Sequence, residues 1–88
     1  MKIKNGFISR TVAGNNVVVA TGEQSRNFNG IIKLNESGLI LWNKLVAGAD
    51  KSELVSALLD EYDITGDVAE KDVDKFIGEL RDAGAIED

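Results

Sequence analysis

The hydrophobic pattern changes near Leu34, and this change constrains the fold more than any other feature of the sequence. Before Leu34, β-branched residues alternate loosely with polar ones between clusters of Gly and Asn, as is typical of short strands. After it, apolar residues recur at the spacing of an amphipathic helix. A run of strands followed by a run of helices predicts an α+β fold. We expect residues 1–88 to form one domain, because a chain of this length provides for a single core.

The first part of the chain predicts three strands. Phe7–Val12 and residues 17–20 flank residues 13–16, which tolerate left-handed backbone and therefore predict a hairpin turn. After a polar loop at residues 21–30, residues 31–34 predict a short third strand. A lone hairpin is marginally stable, so we expect a three-stranded antiparallel sheet covered by a helical layer.

The second part predicts three helices whose starts are marked by capping residues. The predicted N-caps are Asn35, Asp50 and Asp67. Glu53 and Glu70 stand three residues after the last two of them, as in a capping box. Gly48 and Gly84 are predicted to end the first and third helices. The stripes predicted to face the core are Leu39, Trp42, Leu45 and Val46, then Leu54, Val55, Leu58, Leu59 and Tyr62, then Ala69, Val73, Phe76, Ile77 and Leu80.

The composition argues against catalysis. The chain has neither His nor Cys, which removes the commonest general base and the usual nitrogen and sulfur ligands of metals. Its sequence contains no nucleophile elbow and no glycine-rich phosphate loop. The many carboxylates lack the spacing of a calcium loop and are interpreted as helix caps and solvated groups. We therefore predict no enzyme activity, no catalytic residue, no metal and no cofactor.

The charge is unevenly distributed along the chain. The net charge is −5, yet residues 1–34 carry five basic residues and one acidic residue, whereas residues 67–88 carry three basic and eight acidic residues. An acidic last helix would be repelled by a phosphate backbone, so we predict no nucleic-acid partner. No apolar run reaches the roughly 18 residues of a membrane span, and residues 1–6 lack the apolar part of a secretion signal. We expect a cytoplasmic protein without membrane contact.

The candidate binding element is the edge formed by residues 30–34, just before the helices. A small antiparallel sheet leaves unpaired backbone groups on its edge strands, and an extended peptide can add to such an edge as a further strand. The same edge could instead pair with a second copy of the chain, which would give a homodimer. A third interpretation is that this strand only contributes Ile32 and Leu34 to the core. The residues alone leave these alternatives open.

Residues 34–45, Leu-Asn-Glu-Ser-Gly-Leu-Ile-Leu-Trp-Asn-Lys-Leu, resemble the PqqD-like family, in which a strand ending in Leu-Asn precedes a helix with a tryptophan. The likeness extends over essentially the whole chain. Further matching segments are Glu61-Tyr62-Asp63, Asp72-Val73, Phe76-Ile77, Leu80 and Gly84-Ala85-Ile86. Residues 22–30 are similar to those of short, stand-alone members. Each motif is modest by itself, and their order and spacing carry the resemblance.

The resemblance implies a RiPP recognition element, a winged helix-turn-helix-like domain of three strands followed by three helices. Such domains bind the leader segment of a ribosomally synthesised precursor peptide and present it to a modifying enzyme, often a radical SAM enzyme. In the founding case the product is the coenzyme pyrroloquinoline quinone (PQQ). The leader lies along the third strand, against the third helix. Carried onto this chain, the peptide-binding residues would be Gly30, Ile31, Ile32, Lys33, Leu34, Asp72, Phe76 and Leu80.

In that arrangement Lys33 would meet an acidic residue of the leader. Two other functions stay open at this point. One is a winged-helix nucleic-acid-binding domain, which the acidic last helix disfavours. The other is a protein-interaction domain whose partner is not a RiPP precursor.

Overall fold

The computed structural model describes residues 1–28 and 30–88, so Asn29, within the predicted loop, lies outside the described residues. The elements in chain order are β1 (Lys2–Ile3), β2 (Phe7–Val12), β3 (Asn15–Ala20), a 3-10 helix (Gly22–Arg26), β4 (Ile32–Leu34), α1 (Glu36–Ala47), α2 (Lys51–Glu61), α3 (Gly66–Asp82) and β5 (Ile86–Glu87). The three-stranded sheet followed by three helices confirms the predicted α+β fold.

The main sheet is antiparallel with the strand order β2-β3-β4. Its hairpin turn consists of Ala13 and Gly14, whose φ angles are 51° and 81°. Positive φ at both positions gives the turn a backbone twist that suits a two-residue hairpin. The predicted turn is confirmed, although β3 begins earlier than expected, at Asn15. The third strand begins at Ile32, one residue later than predicted.

A second, two-stranded sheet was not predicted. It joins the ends of the chain, because β1 pairs with β5 in the register Ile3 opposite Ile86. The Lys4 N–H extends the pairing by donating to the Ala85 carbonyl at 2.8 Å. Two-residue strands are too short to show a period, and their partners are far apart in sequence. The hydrophobic pattern of the sequence therefore does not predict this sheet.

The predicted caps of the first two helices are confirmed. The Asn35 side chain accepts a hydrogen bond from the Gly38 N–H at 2.8 Å. Asp50 accepts from the Glu53 N–H at 2.8 Å, and Glu53 accepts in return from the Asp50 N–H at 3.2 Å. These reciprocal bonds form a capping box, which satisfies two of the backbone donors that every helix start leaves unpaired.

The predicted cap of the third helix is wrong. Thr65, not Asp67, is the N-cap, and its hydroxyl accepts from the Val68 N–H at 3.3 Å. Asp67 lies in the first turn instead, where the helix dipole favours a negative charge. Thr65 and Asp67 are both favoured N-cap residues and stand two positions apart, so residue preference alone did not identify which of them begins the helix. Gly84, with φ of 76°, follows the end of this helix as expected.

One cluster of buried side chains joins the sheet to the three helices. Phe7, Val18 and Leu34 face it from the strands. The predicted stripe of α3 is confirmed in full, with Ala69, Val73, Phe76, Ile77 and Leu80 all buried. In α1 and α2 the predicted stripes were partly wrong, because Val46 is 59% exposed and Leu59 is 41% exposed. In the described part of the chain, no helix has both the length and the apolar surface needed to cross a membrane.

Candidate functional site

The hydrogen bonds of the central strand β3 determine which backbone N–H and C=O groups of β4 are left unpaired at the edge of the sheet. Thr21 N–H donates to the Gly6 carbonyl at 2.6 Å, at the end of the β2–β3 ladder. Hydrogen-bonded and non-bonded pairs alternate along an antiparallel ladder. Counting along the register from Gly6 and Thr21, Arg10 and Val17 form a hydrogen-bonded pair. The backbone groups of Val17 are therefore directed to β2, and those of its neighbours are directed to β4.

It follows that Lys33 presents its backbone to solvent. Ile32 pairs with Val18 and Leu34 pairs with Asn16, so these two residues of β4 bond to β3. Lys33, between them, directs its N–H and C=O the opposite way. Among the described residues no strand pairs with that side of β4. The edge is therefore open and offers one backbone donor and one backbone acceptor at Lys33.

Two adjoining cavities run between this edge and α3, and both are lined by Lys33 and Glu79. We refer to them together as the β4–α3 groove. The first lobe has a volume of about 230 Å³ and the second about 420 Å³. The first is lined by Lys33, Asn35, Ser37, Gly38, Leu41, Asp72, Lys75, Phe76 and Glu79. The second is lined by Phe28, Ile31, Ile32, Lys33, Glu79, Asp82 and Ala83.

The start of α1 supplies one wall of the first lobe. Asn35 accepts hydrogen bonds from the Gly38 N–H and from the Ser37 hydroxyl, the latter at 3.0 Å. A Cβ at Gly38 would lie 3.1 Å from Asn35 Oδ1 and 3.5 Å from Phe76 Cε1. The distance to Phe76 is an ordinary contact, whereas the distance to Asn35 is tight, so glycine mainly leaves room for the capping side chain. The same cap that starts the helix also shapes the lobe.

The two lobes differ in chemistry. The first carries charges of both signs, with Lys75 set among Asp72 and Glu79, above the buried ring of Phe76. The second is bounded on the strand side by Phe28, Ile31 and Ile32. Ile31 is 66% exposed, the largest exposed fraction of any large hydrophobic side chain among the described residues. The strand side of the second lobe therefore suits an apolar side chain, whereas Glu79 and Asp82 make its helix side acidic. The first lobe suits a polar side chain.

The structure brings most of the predicted site residues together. Ile31, Ile32 and Lys33 line the groove from the strand side, and Asp72 and Phe76 line it from α3. The other three predicted residues line neither lobe. Leu34 is 5% exposed and Leu80 has no exposed surface, so both belong to the core. Gly30 is exposed beside the Phe28 ring.

Several groove residues were missed in the sequence. Lys75 and Glu79 follow Asp72 at helical spacing and could have been found by extending the exposed face of the last helix. No comparable pattern points to Phe28. Its ring lies against that of Phe7, with centroids 6.1 Å apart, and this contact closes the loop onto the sheet. Within the described residues, no three acidic side chains come close enough to hold a metal ion.

The fold and the groove define a small α+β domain with an open sheet edge beside a helix, a surface to which an extended segment can add. The family model of coenzyme PQQ synthesis protein D (PqqD) matches residues 16–86, and the chain belongs to this family. No curated protein matches the sequence.

Two solved structures share the fold. TbiB1, solved in complex with the TbiA(beta) leader peptide, has a TM-score of 0.79 and 23% identity over 99% of this chain and 95% of that one. Lasso peptide synthetase B1, complexed with the leader peptide, has a TM-score of 0.75 and 15% identity over 96% of this chain and 93% of that one.

Proposed function

We propose that residues 1–88 act as one non-catalytic domain that binds the leader segment of a ribosomally synthesised precursor peptide and presents it to a modifying enzyme. Membership of the PqqD family supports this function. Two proteins of the same fold were each solved with a leader peptide bound. The observation that carries the proposal is the open backbone edge at Lys33 beside the β4–α3 groove.

Strand addition follows from the direction of the backbone groups. A peptide residue opposite Lys33 would accept from its N–H and donate to its C=O. Side chains directly opposite each other share a face of the sheet, so this residue would lie beside the Lys33 side chain. Its two neighbours along the peptide would point to the face that carries Ile32 and Leu34, which is the face covered by α3. These neighbours would enter the groove.

The groove then selects side chains by chemistry. The lobe at Phe28, Ile31 and Ile32 favours an apolar residue of the leader, because burial removes apolar surface from water on both sides. The Lys33 ammonium favours an acidic residue opposite it, since the added strand would place that side chain next to the charge. Backbone bonds would thus supply affinity, and the flanking side chains would supply specificity.

The enzyme receiving the peptide is proposed to be a radical SAM enzyme or another RiPP-modifying enzyme, in PQQ synthesis or a related pathway. The family description supports a role in coenzyme synthesis. The domain itself would contribute no catalytic group, because it has no Cys, and no His that could act as a base to activate one of its serines. Its contribution would be to fix one part of the peptide, which raises the local concentration of the rest at the enzyme.

A titration of the ¹⁵N-labelled chain with the leader of a precursor peptide encoded near its gene tests this function. We expect saturable shifts at the amides of β4 and of the α3 turns around Asp72 and Phe76. A scrambled peptide of the same composition is the matched control. Absence of saturable binding, or shifts confined to α1 and α2, would contradict the proposal. Binding of duplex DNA in place of the peptide would also contradict it.

A further inference from the structure

The main sheet has a second face, turned away from the helices. Residues opposite each other in the register share a face, so the row Arg10, Val17 and Lys33 crosses all three strands on one side. Phe7, Val18 and Leu34 belong to the other side and enter the core. We call the first side the outer sheet face. It consists mainly of Ile8, Arg10, Val12, Val17, Val19 and Lys33.

This face is unusually apolar for a solvated surface. Antiparallel sheets with one buried face normally turn polar side chains to water. Here Ile8 is 39% exposed and Val12 is 53% exposed. Val17 is only 7% exposed although it lies outside the core cluster. It stands between Arg10 and Lys33, whose aliphatic stems can cover a small neighbour while their charges remain in water.

The charge of the outer sheet face is opposite to that of the chain. None of the residues of β2, β3 and β4, all of which the structure describes, is acidic. The charged side chains on the face are those of Arg10 and Lys33. The chain as a whole has a net charge of −5. A partner complementary to this face would therefore present carboxylates around an aliphatic centre.

We propose that the outer sheet face docks the modifying enzyme, through a patch on the enzyme that combines acidic and aliphatic side chains. This inference rests on the proposed function. A leader added to β4 would extend the same sheet, so its residue opposite Lys33 would lie on the same face. The enzyme would then contact the domain and the bound leader across one continuous surface. The groove would hold the peptide from the other side.

The test uses the purified modifying enzyme encoded beside the gene of this chain, with binding to each variant measured by calorimetry. Arg10→Glu reverses one of the two charges on the face, and Ile8→Ser removes exposed apolar surface from it. Thr11→Glu is the matched control, because Thr11 is exposed on the same strand and belongs to the opposite face. Circular dichroism establishes that each variant is folded.

We expect Arg10→Glu to weaken enzyme binding at least tenfold, Ile8→Ser to weaken it less, and Thr11→Glu to leave it unchanged. All three variants keep the leader affinity of the parent chain. Equal enzyme affinity for Arg10→Glu and the parent, or an equal loss with Thr11→Glu, overturns the inference. So does a dimer of the chain alone that Arg10→Glu dissociates, since it assigns the face to a second copy.

The failure of this inference can be told apart from the failure of the proposed function. A parent chain that binds the leader but not the enzyme overturns only the docking surface. A parent chain that binds the enzyme through Arg10 without binding the leader overturns the proposed function instead, and leaves the outer sheet face as an enzyme-binding surface.

Discussion

Lys33 lies directly opposite Val17 in the β3–β4 ladder, yet its backbone N–H and C=O point away from Val17 toward the open edge. One residue therefore belongs to two surfaces. Its backbone is available to an added strand, and its side chain joins the outer sheet face in a row with Arg10. This arrangement connects peptide binding in the groove with the opposite face of the sheet.

Ile31 is predicted to contribute binding energy without contributing stability. Its side chain is 66% exposed and lines the second lobe of the groove. Ile31→Asp should lower leader affinity roughly tenfold, because burying an aliphatic side chain is worth about 1.5 kcal/mol or more. Val46→Asp is the control, since Val46 is 59% exposed on α1 and lines neither lobe. Calorimetric titration with the leader measures both, and equal losses would contradict the assignment.

Leu80 is predicted to act through stability alone. It has no exposed surface, so Leu80→Ala should lower the free energy of unfolding by about 2–5 kcal/mol, as measured by urea denaturation. A loss of this size can unfold a small domain, so Leu80→Met serves as a milder variant that nearly conserves volume. We expect Leu80→Met to bind the leader as the parent does. Weaker binding with unchanged stability would place Leu80 at the peptide.

Much of the fold was predictable because it follows from local chemistry. The change of period at Leu34 and the capping box at Asp50 and Glu53 involve residues close in sequence. The pairing of β1 with β5 is not local and was missed. The stripe of α1 was partly wrong because apolar residues occupy several of its faces, so that Val46 and Leu41 were equally good candidates for burial.

The strand side of the site was easier to predict than the helix side. Consecutive short strands tend to pair in order, which places the last of them at an edge. On α3 the period distinguishes buried from exposed positions but does not say which exposed residues face β4. The period placed Leu80 in the buried stripe, and only the family resemblance also placed it in the site; Lys75, which lines the groove, was missed. Phe28 reaches the groove only through the path of the loop before β4.

Tyr62 is predicted to lower stability at alkaline pH. Its hydroxyl is buried without a hydrogen-bond partner in the described structure. Burial, with a smaller effect from the Glu36 carboxylate, raises the pKa of Tyr62 above its ordinary value. A raised pKa in the folded state contributes stability that is present below the unfolded pKa of about 10 and is lost as the pH rises through the folded value.

Tyr62→Phe should therefore reduce the fall in Tm between about pH 9 and pH 11, without lowering Tm at neutral pH. Some alkaline dependence should remain, because hydrogen bonds to Asp74 and then Glu70 raise the pKa of Lys51 in the same direction. Thermal unfolding followed by circular dichroism measures the effect. If Tm falls with pH as steeply in the variant as in the parent, ionisation of Tyr62 is not coupled to unfolding.

Strand addition at the Lys33 backbone is the central claim. Proline at this position tests it, because proline removes the backbone N–H without adding a charge. Lys33→Pro should preserve the sheet, since that N–H does not bond to β3, and edge strands tolerate proline at such positions. Ser9→Pro is the matched control. Ser9 occupies the equivalent position on β2, where its N–H faces solvent from the other edge of the sheet.

The decisive measurement is the leader affinity of Lys33→Pro, Ser9→Pro and Lys33→Ala, each shown to be folded by its amide spectrum. Lys33→Ala removes the ammonium group but keeps the backbone N–H. It therefore distinguishes the contribution of the charge to leader affinity from that of the backbone hydrogen bond. We expect Lys33→Pro to bind at least tenfold more weakly than Lys33→Ala, because the added strand loses a backbone bond and meets the proline ring. Ser9→Pro should bind as the parent does. Equal affinity of Lys33→Pro and Lys33→Ala would contradict strand addition at this edge.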